Sequence, residues 1–189
     1  MSFNDDAVLK ISTAHFYTAP VGTAAPADPL NPESEWENVG HTTLEDILSM
    51  SSEGGEKTVL GSLQNRNLKT SHTSKQTAFN FSIHQFDDAG LKLYLGANAV
   101  VEDGLIGPAD TPVPSQRAFL VVVVDGDSHF LFYVPKADII GADDLALADT
   151  ESLSSLPLSV TPLRLQGKSA AWYTSGVKGS GDPVGEGTP

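Results

Sequence analysis

The sequence of 189 residues contains no cysteine, which excludes a disulfide scaffold, a thiolate metal site and a cysteine nucleophile. Basic residues are scarce, since 11 Lys and Arg stand against 24 Asp and Glu for a formal net charge of −13. Because an acidic surface repels phosphate groups, electrostatic binding to nucleic acid or to anionic lipid is disfavoured. The longest apolar run, residues 118–124, is far shorter than the ~20 residues that span a bilayer. Residues 1–6 also lack the pattern of a signal peptide.

No catalytic constellation is recognisable in the sequence. The five histidines occur singly, and neither an HExxH nor a G-x-S-x-G motif is present. Asp125-Gly126-Asp127 fits a hairpin turn better than a calcium loop, because the twelfth position of such a loop is Lys136 instead of Glu. The sequence therefore predicts no enzyme activity, no cofactor and no metal site.

Most of the chain has the pattern of β-strands. Residues 8–17 and 74–86 alternate between apolar and polar side chains, as half-buried strands do. Two apolar β-forming runs flank Asp125-Gly126 within residues 118–134 and predict a tight hairpin. Because four successive valines in the first run do not alternate, that strand is predicted to be covered on both faces. A last strand is predicted over 158–166.

Helix signals are limited to two places. Residues 87–96 predict a helix with an Asp cap and a terminal Gly, with Leu91, Tyr94 and Leu95 on one face. Residues 42–50 are ambiguous, because a capping-box pattern precedes a run that also suits a strand. Residues 20–32 predict a surface loop rich in proline. The domain is expected to cover 1–175, followed by a flexible Gly-rich tail over 176–189.

The charges are segregated along the chain. Residues 11–56 carry eight acidic and no basic residues, whereas residues 57–86 carry four basic and no acidic ones. Blocks of matched opposite sign are expected where copies of one chain meet, although solvated faces of a monomer would give the same pattern. The predicted inter-subunit charge contacts are Glu45, Asp46, Glu53, Glu56, Lys57, Arg66, Lys69 and Lys75.

The segment Trp36-Glu37-Asn38-Val39-Gly40-His41-Thr42-Thr43 resembles the Trp-x-x-hydrophobic-Gly-(aromatic or His)-Thr segment of the major tail tube proteins of long-tailed, siphovirus-type bacteriophages. In that family an acidic, partly flexible segment comes next, here 44–56, and then a pair of long strands, here 57–70 and 71–86. A helix like 87–96 and a late hairpin like 118–134 complete the resemblance. It extends over residues 7–175 and depends on the order and character of the segments.

The resemblance implies a mainly β fold, two packed antiparallel sheets in a β-sandwich with one short flanking α-helix. It implies a homo-oligomer of hexameric rings that stack into a tail tube, through which double-stranded viral DNA passes without specific binding during ejection. Tape measure and tail terminator proteins are implied as partners. The location implied is the virion tail, assembled in the host cytoplasm, with no membrane contact. The resemblance also favours an extended or flexible conformation for 42–50 over a helix.

One face of the strand at 74–86 is polar but uncharged, and we predict that it lines the channel: Asn80, Ser82 and His84. A wall without cations would not retard DNA, because each Lys or Arg adds a phosphate contact. An outward, solvent-facing position of the same face remains the alternative. Alternative functions are a ring-forming tube protein of a secretion system, a tail terminator, or, in a different class, a small β-sandwich binding module.

Overall fold

The structure, a computed structural model, describes residues 3, 8–145, 147 and 150–179. Its one described helix is α1, Asp88–Leu95. The strands in chain order are β1 Thr13–Ala19, β2 Glu37–Asn38, β3 Ser49–Gly54, β4 Lys57–Leu60, β5 Lys69–His72, β6 Lys75–Ile83, β7 Val100–Glu102, β8 Leu105–Gly107, β9 Ser115–Asp125, β10 Ser128–Gly141, β11 Leu156–Pro162, β12 Tyr173–Thr174 and β13 Lys178–Gly179. The predicted mainly β fold with one short helix is confirmed.

Nine strands form one antiparallel sheet in the order β2-β1-β9-β10-β11-β6-β3, with β12 and β13 also paired to β10. The long strand β10 shifts register against β9 between Val134 and Ala137, and only its second half pairs with β11. Such a bulge bends a strand and increases its twist. The sheet thereby turns back on itself, so that Phe16 of β1 stacks on Phe81 of β6 at 4.7 Å between ring centroids. The two packed antiparallel layers are joined through β10.

The main core lies between these layers and is built from β1, β6, β9, β10 and β11. Strand β9 contributes to two clusters, because Phe119 and Val121 face the main core while Leu120 and Val122 face a second cluster around Trp36. All four of these β9 side chains are fully buried. The prediction that this strand is covered on both faces is confirmed.

The predicted hairpin and helix are both present. Gly126 adopts a positive φ of 55° in the turn between β9 and β10, a conformation in which glycine is favoured. Asp87 caps α1 by accepting a hydrogen bond from the backbone N–H of Gly90 at 2.8 Å, and Gly96 follows its last turn. The helix packs on the main core through Leu91, Leu93 and Tyr94, so that Leu93 takes the place predicted for Leu95.

Replacing the helix cap Asp87 by Ala is expected to cost about 1 kcal/mol, a decrease in Tm of roughly 2–4 °C. Hydrogen bonds from the Gly90 N–H and the Gln85 side chain lower the pKa of Asp87 below its ordinary value of 3.8. A lowered folded-state pKa stabilises the protein above the unfolded pKa, and this contribution is lost as the pH falls through the folded pKa. The Tm difference should therefore shrink in strong acid, and Asp87→Asn should retain most of the stability in thermal melts at pH 7.

Other expectations from the sequence are wrong. The pair of long strands at 57–70 and 71–86 does not form, because the chain reverses at 61–68 and β4 and β5 make a separate two-stranded sheet. In this reversal Ser62 donates its N–H to the carbonyl of Asn65 at 2.7 Å. The helix considered for 42–50 is also absent, and the extended alternative is confirmed, since this segment bends and then enters β3.

The element boundaries differ at both ends of the chain. Strand β1 begins at Thr13, five residues after the predicted start, and β11 ends at Pro162. In the predicted tail, Lys178 and Gly179 pair with the first residues of β10, while 180–189 fall outside the described residues. The division into a domain and a tail therefore stays a prediction. In the part of the chain that the structure covers, no helix is long and apolar enough to cross a membrane.

Candidate assembly surfaces

The described residues form no cluster of three or more His, Asp or Glu that could hold a metal ion. A cleft of about 580 Å³, lined by both polar and apolar residues, lies between α1, β2 and β9. In this cleft the Arg117 guanidinium donates a hydrogen bond to the Glu37 carboxylate at 2.5 Å, and Asp87 is engaged in capping α1. The charged groups of Arg117, Glu37 and Asp87 are therefore engaged in contacts within the protein.

The outward face of β6 is polar and uncharged. The three alternate residues assigned to the core are buried as predicted: Phe79, Phe81 and Ile83. Asn80 and Ser82 consequently point away from the core and are partly exposed. Asn80 lies directly opposite Ser49 of β3 and Ser159 of β11, and residues opposite each other share a face. The Asn80 amide also donates to the Ser51 hydroxyl at 3.4 Å. Short neutral side chains thus cross three neighbouring strands.

His84, the third residue of the predicted channel face, is held at the end of β6. Its ring Nδ1 lies 2.9 Å from the carbonyl oxygen of Ser154, and its backbone N–H donates to the carbonyl of His41 at 2.7 Å. The structure therefore places Asn80 and Ser82 together on the open face and His84 in a hydrogen-bonded position beside it.

Strand β3 forms an exposed edge next to this neutral face. All residues of Ser49–Gly54 are exposed, and β3 is the terminal strand of the sheet path. Its one described strand partner is β6. The outer side of β3 therefore presents backbone N–H and C=O groups that another strand could pair with.

A separate projection, which we call the arm, comprises β4, β5 and the turn between them, residues 57–72. Every residue of the arm is exposed. Val59 lies opposite Thr70 and Leu60 opposite Lys69, so each face of this hairpin carries an apolar side chain. Its exposed large apolar residues are Val59, Leu60, Leu63 and Leu68. The sequence interpretation missed the arm, and the signal that could have revealed it is Gly61 followed by a polar run.

All eight predicted inter-subunit charges are exposed, and no ion pair of the described chain involves them. The acidic ones lie in and around β3, where Glu45 and Asp46 form the bend before the strand. The basic ones lie in the arm and at the start of β6. The two groups are Glu45, Asp46, Glu53 and Glu56 on one side, and Lys57, Arg66, Lys69 and Lys75 on the other. They remain available for a partner.

An apolar groove of about 340 Å³ opens beside the bend at Asp46. Three segments that are distant in the sequence form it, and the hairpin of β9 and β10 contributes Val123, Phe130 and Phe132. The remaining lining residues are Leu9, Ile11, Leu44, Asp46, Ile47, Leu48 and Met50. Leu44 is 94% exposed and Met50 53% exposed, so the groove has apolar side chains open to solvent.

Comparisons with known proteins agree on one class. The model of the family described as "Phage tail tube protein" matches residues 1–180. A protein named "Major tail protein Gp23" of Mycobacterium phage L5 is 34% identical over 176 residues, covering 86% of this chain and 88% of that protein. The protein of the same name from Mycobacterium phage D29 gives the same identity and coverage.

Proposed function

The chain belongs to the phage tail tube protein family, and from this membership we propose that its copies form hexameric rings that stack into a hollow conduit for viral DNA. As a major tail protein it is a structural component of the virion tail and not an enzyme. Tape measure and tail terminator proteins are its proposed partners within the tail, and the host cytoplasm is the proposed place of assembly.

The exposed edge strand β3 is the structural observation that supports ring closure. An unpaired edge is normally a liability, because it invites pairing with any other chain. In a ring the edge becomes useful, since a strand of the adjacent copy can pair with it and continue the sheet until it closes. The faces of β3, β6 and β11 would then form one continuous wall.

The chemistry of that wall supports its position toward the channel. Asn80, Ser82, Ser49 and Ser159 offer hydroxyl and amide groups without charge. A wall of this kind stays hydrated and forms no phosphate ion pairs, so duplex DNA can slide along it. The net charge of −13 adds a repulsive field that disfavours adhesion of DNA elsewhere on the protein.

Negative-stain electron microscopy of the purified protein at high concentration tests this proposal. Long hollow tubes with a regular axial repeat are the expected result. Isolated rings that never stack would favour a tail terminator or a secretion-system ring protein. A protein that stays monomeric at every concentration would favour the small binding module.

Reversing two charges of the arm, Arg66→Glu with Lys69→Glu, is expected to reduce tube yield strongly while the monomer stays folded. Each exposed ion pair contributes only about 0–1 kcal/mol, but the same contact repeats in every copy of the tube. Because the arm is exposed and outside the core, the Tm of the monomer should not change. Tube yield by sedimentation and microscopy, with circular dichroism of the monomer, measures both effects.

A matched control reverses two exposed cations elsewhere, Lys92→Glu with Lys168→Glu, and changes the net charge by the same amount. This control should assemble as the unmodified protein does. Equal tube yield from both double variants would remove charge complementarity from the proposal.

A further inference from the structure

The arm lacks a core of its own. It is a two-stranded hairpin with apolar side chains on both faces, and such a hairpin alone is marginally stable in water. At its turn Leu63 is 100% exposed, and Leu68 is 65% exposed. Apolar side chains displayed in this way on a soluble protein indicate a surface that becomes covered.

The apolar groove offers an apolar lining with an acidic residue beside it, which matches the apolar and basic character of the arm. Its lining includes the aromatic side chains of Phe130 and Phe132 and the exposed side chains of Leu44 and Met50. Its rim carries Asp46, which adopts a φ of 50° at a sharp bend that keeps its carboxylate exposed. Asp46 is the one charged residue among the described residues that line the groove, Glu45 precedes it in the chain, and Lys10 is the one lysine or arginine next to a lining residue in the chain.

From these features we infer that the arm of one copy docks into the apolar groove of a neighbouring copy. This inference rests on the proposed self-assembly and identifies its contact. Leu63 enters the groove as the anchor, while Arg66 and Lys69 lie along the rim near Glu45 and Asp46. The arm and the groove are different surfaces, so the contact is head-to-tail and repeats from copy to copy. The opposite charges orient the arm, and the buried leucine supplies most of the affinity.

Disulfide trapping tests this contact directly, because the natural chain has no cysteine. The variant Leu63→Cys with Leu44→Cys is assembled, oxidised mildly and run on a non-reducing gel, and Leu63→Cys with Met50→Cys provides a second receiving position. Both pairs should give a ladder that extends beyond the dimer. The control Leu63→Cys with Leu105→Cys places the second thiol on the exposed hairpin of β7 and β8, away from the groove, and should remain mostly monomeric on the same gel.

Microscopy of the same preparation distinguishes the proposed docking contact from the proposed tube function. If tubes form but neither the Leu44→Cys nor the Met50→Cys pair gives a ladder, the docking contact is wrong and the tube function stands. A ladder of equal length from the control pair also overturns the docking contact. If the unmodified protein forms neither tubes nor rings, the proposed function fails and the docking contact fails with it.

A second variant measures the anchor without any crosslink. Leu63→Glu should lower tube yield by about tenfold or more, because it removes the burial of a leucine side chain from every contact. Leu105→Glu, a change of the same kind at a side chain that is 75% exposed, should leave the yield unchanged. An unchanged yield from Leu63→Glu, or an equal loss from both variants, overturns the inference.

Discussion

Deletion of residues 51–55 is expected to abolish tube formation and to leave a soluble, folded monomer. The deletion removes most of β3, whose residues are all exposed and contribute no side chain to the buried part of either core cluster. The remaining sheet keeps β1, β9, β10, β11 and β6, which carry the core. The lost element is the edge that we propose to pair with the adjacent copy, and without it the ring cannot close.

Size-exclusion chromatography, thermal melting and microscopy measure the three parts of this prediction. A deletion of equal length in another exposed hairpin, residues 101–105, is the control and should still assemble. Tubes formed by the 51–55 deletion would contradict the role of β3. A collapse of the monomer Tm would show that β3 supports the core more than its exposure indicates.

Hydrogen exchange adds a test of how the acidic segment 44–56 behaves. In the monomer we expect rapid exchange at the bend residues and at the amides on the outer side of β3, whereas the amides that face β6 are already paired. In tubes the outer amides should become protected, because a neighbouring strand supplies their hydrogen bonds. Equal protection of the outer amides in the monomer and in tubes would contradict the proposal that this edge pairs with a neighbouring copy.

The features that could be predicted from the sequence are those with local signals. The hairpin turn near Asp125-Gly126 and the helix from the Asp87 cap to Gly96 depend on residues adjacent in the chain, and both are present. The turn residues are Gly126 and Asp127, one position later than predicted, because Asp125 pairs with Ser128. The bend of β10 depends on pairing between distant strands. Its one local sign is Pro135, which lies within the bulge, a position that sheets tolerate for proline.

The surfaces were harder to predict, because they combine distant segments. The alternation around Asn80 and Ser82 correctly indicated an outward polar face, since that signal is periodic and local. The apolar groove joins residues near 10, 47 and 130, and no single window of sequence contains them. The arm could not be recognised because β4, β5 and β6 follow one another in a stretch without acidic residues, so no change of charge marks the end of the hairpin. The reversal at 61–68 also depends on hydrogen bonds such as that from the Asn65 N–H to the Ser62 hydroxyl.

Two lysines on the neutral face, Asn80→Lys with Ser82→Lys, are expected to slow DNA ejection and to make its rate depend on salt. If this face lines the channel, each copy presents two new cations to the passing phosphates. Releasing phosphate contacts requires counterions, so the logarithm of the affinity decreases with the logarithm of the salt concentration. Because both side chains point away from the core, the subunit should still fold, although crowding of like charges can lower tube yield.

Phage particles assembled with the variant tail protein allow the ejection rate to be measured by fluorescence of released DNA at several salt concentrations. The control, Thr111→Lys with Gln166→Lys, adds the same charge at exposed positions outside β6. The expected result is ejection that is slow at low salt and recovers at high salt in the Asn80 and Ser82 variant, but not in the control. Only cations inside the channel contact the passing DNA. An unchanged ejection rate in particles whose tubes contain the variant would place the neutral face outside the channel. A density map with Asn80 on the exterior of the tube would do the same, and the hydroxyl and amide groups of this face would then be exposed to solvent.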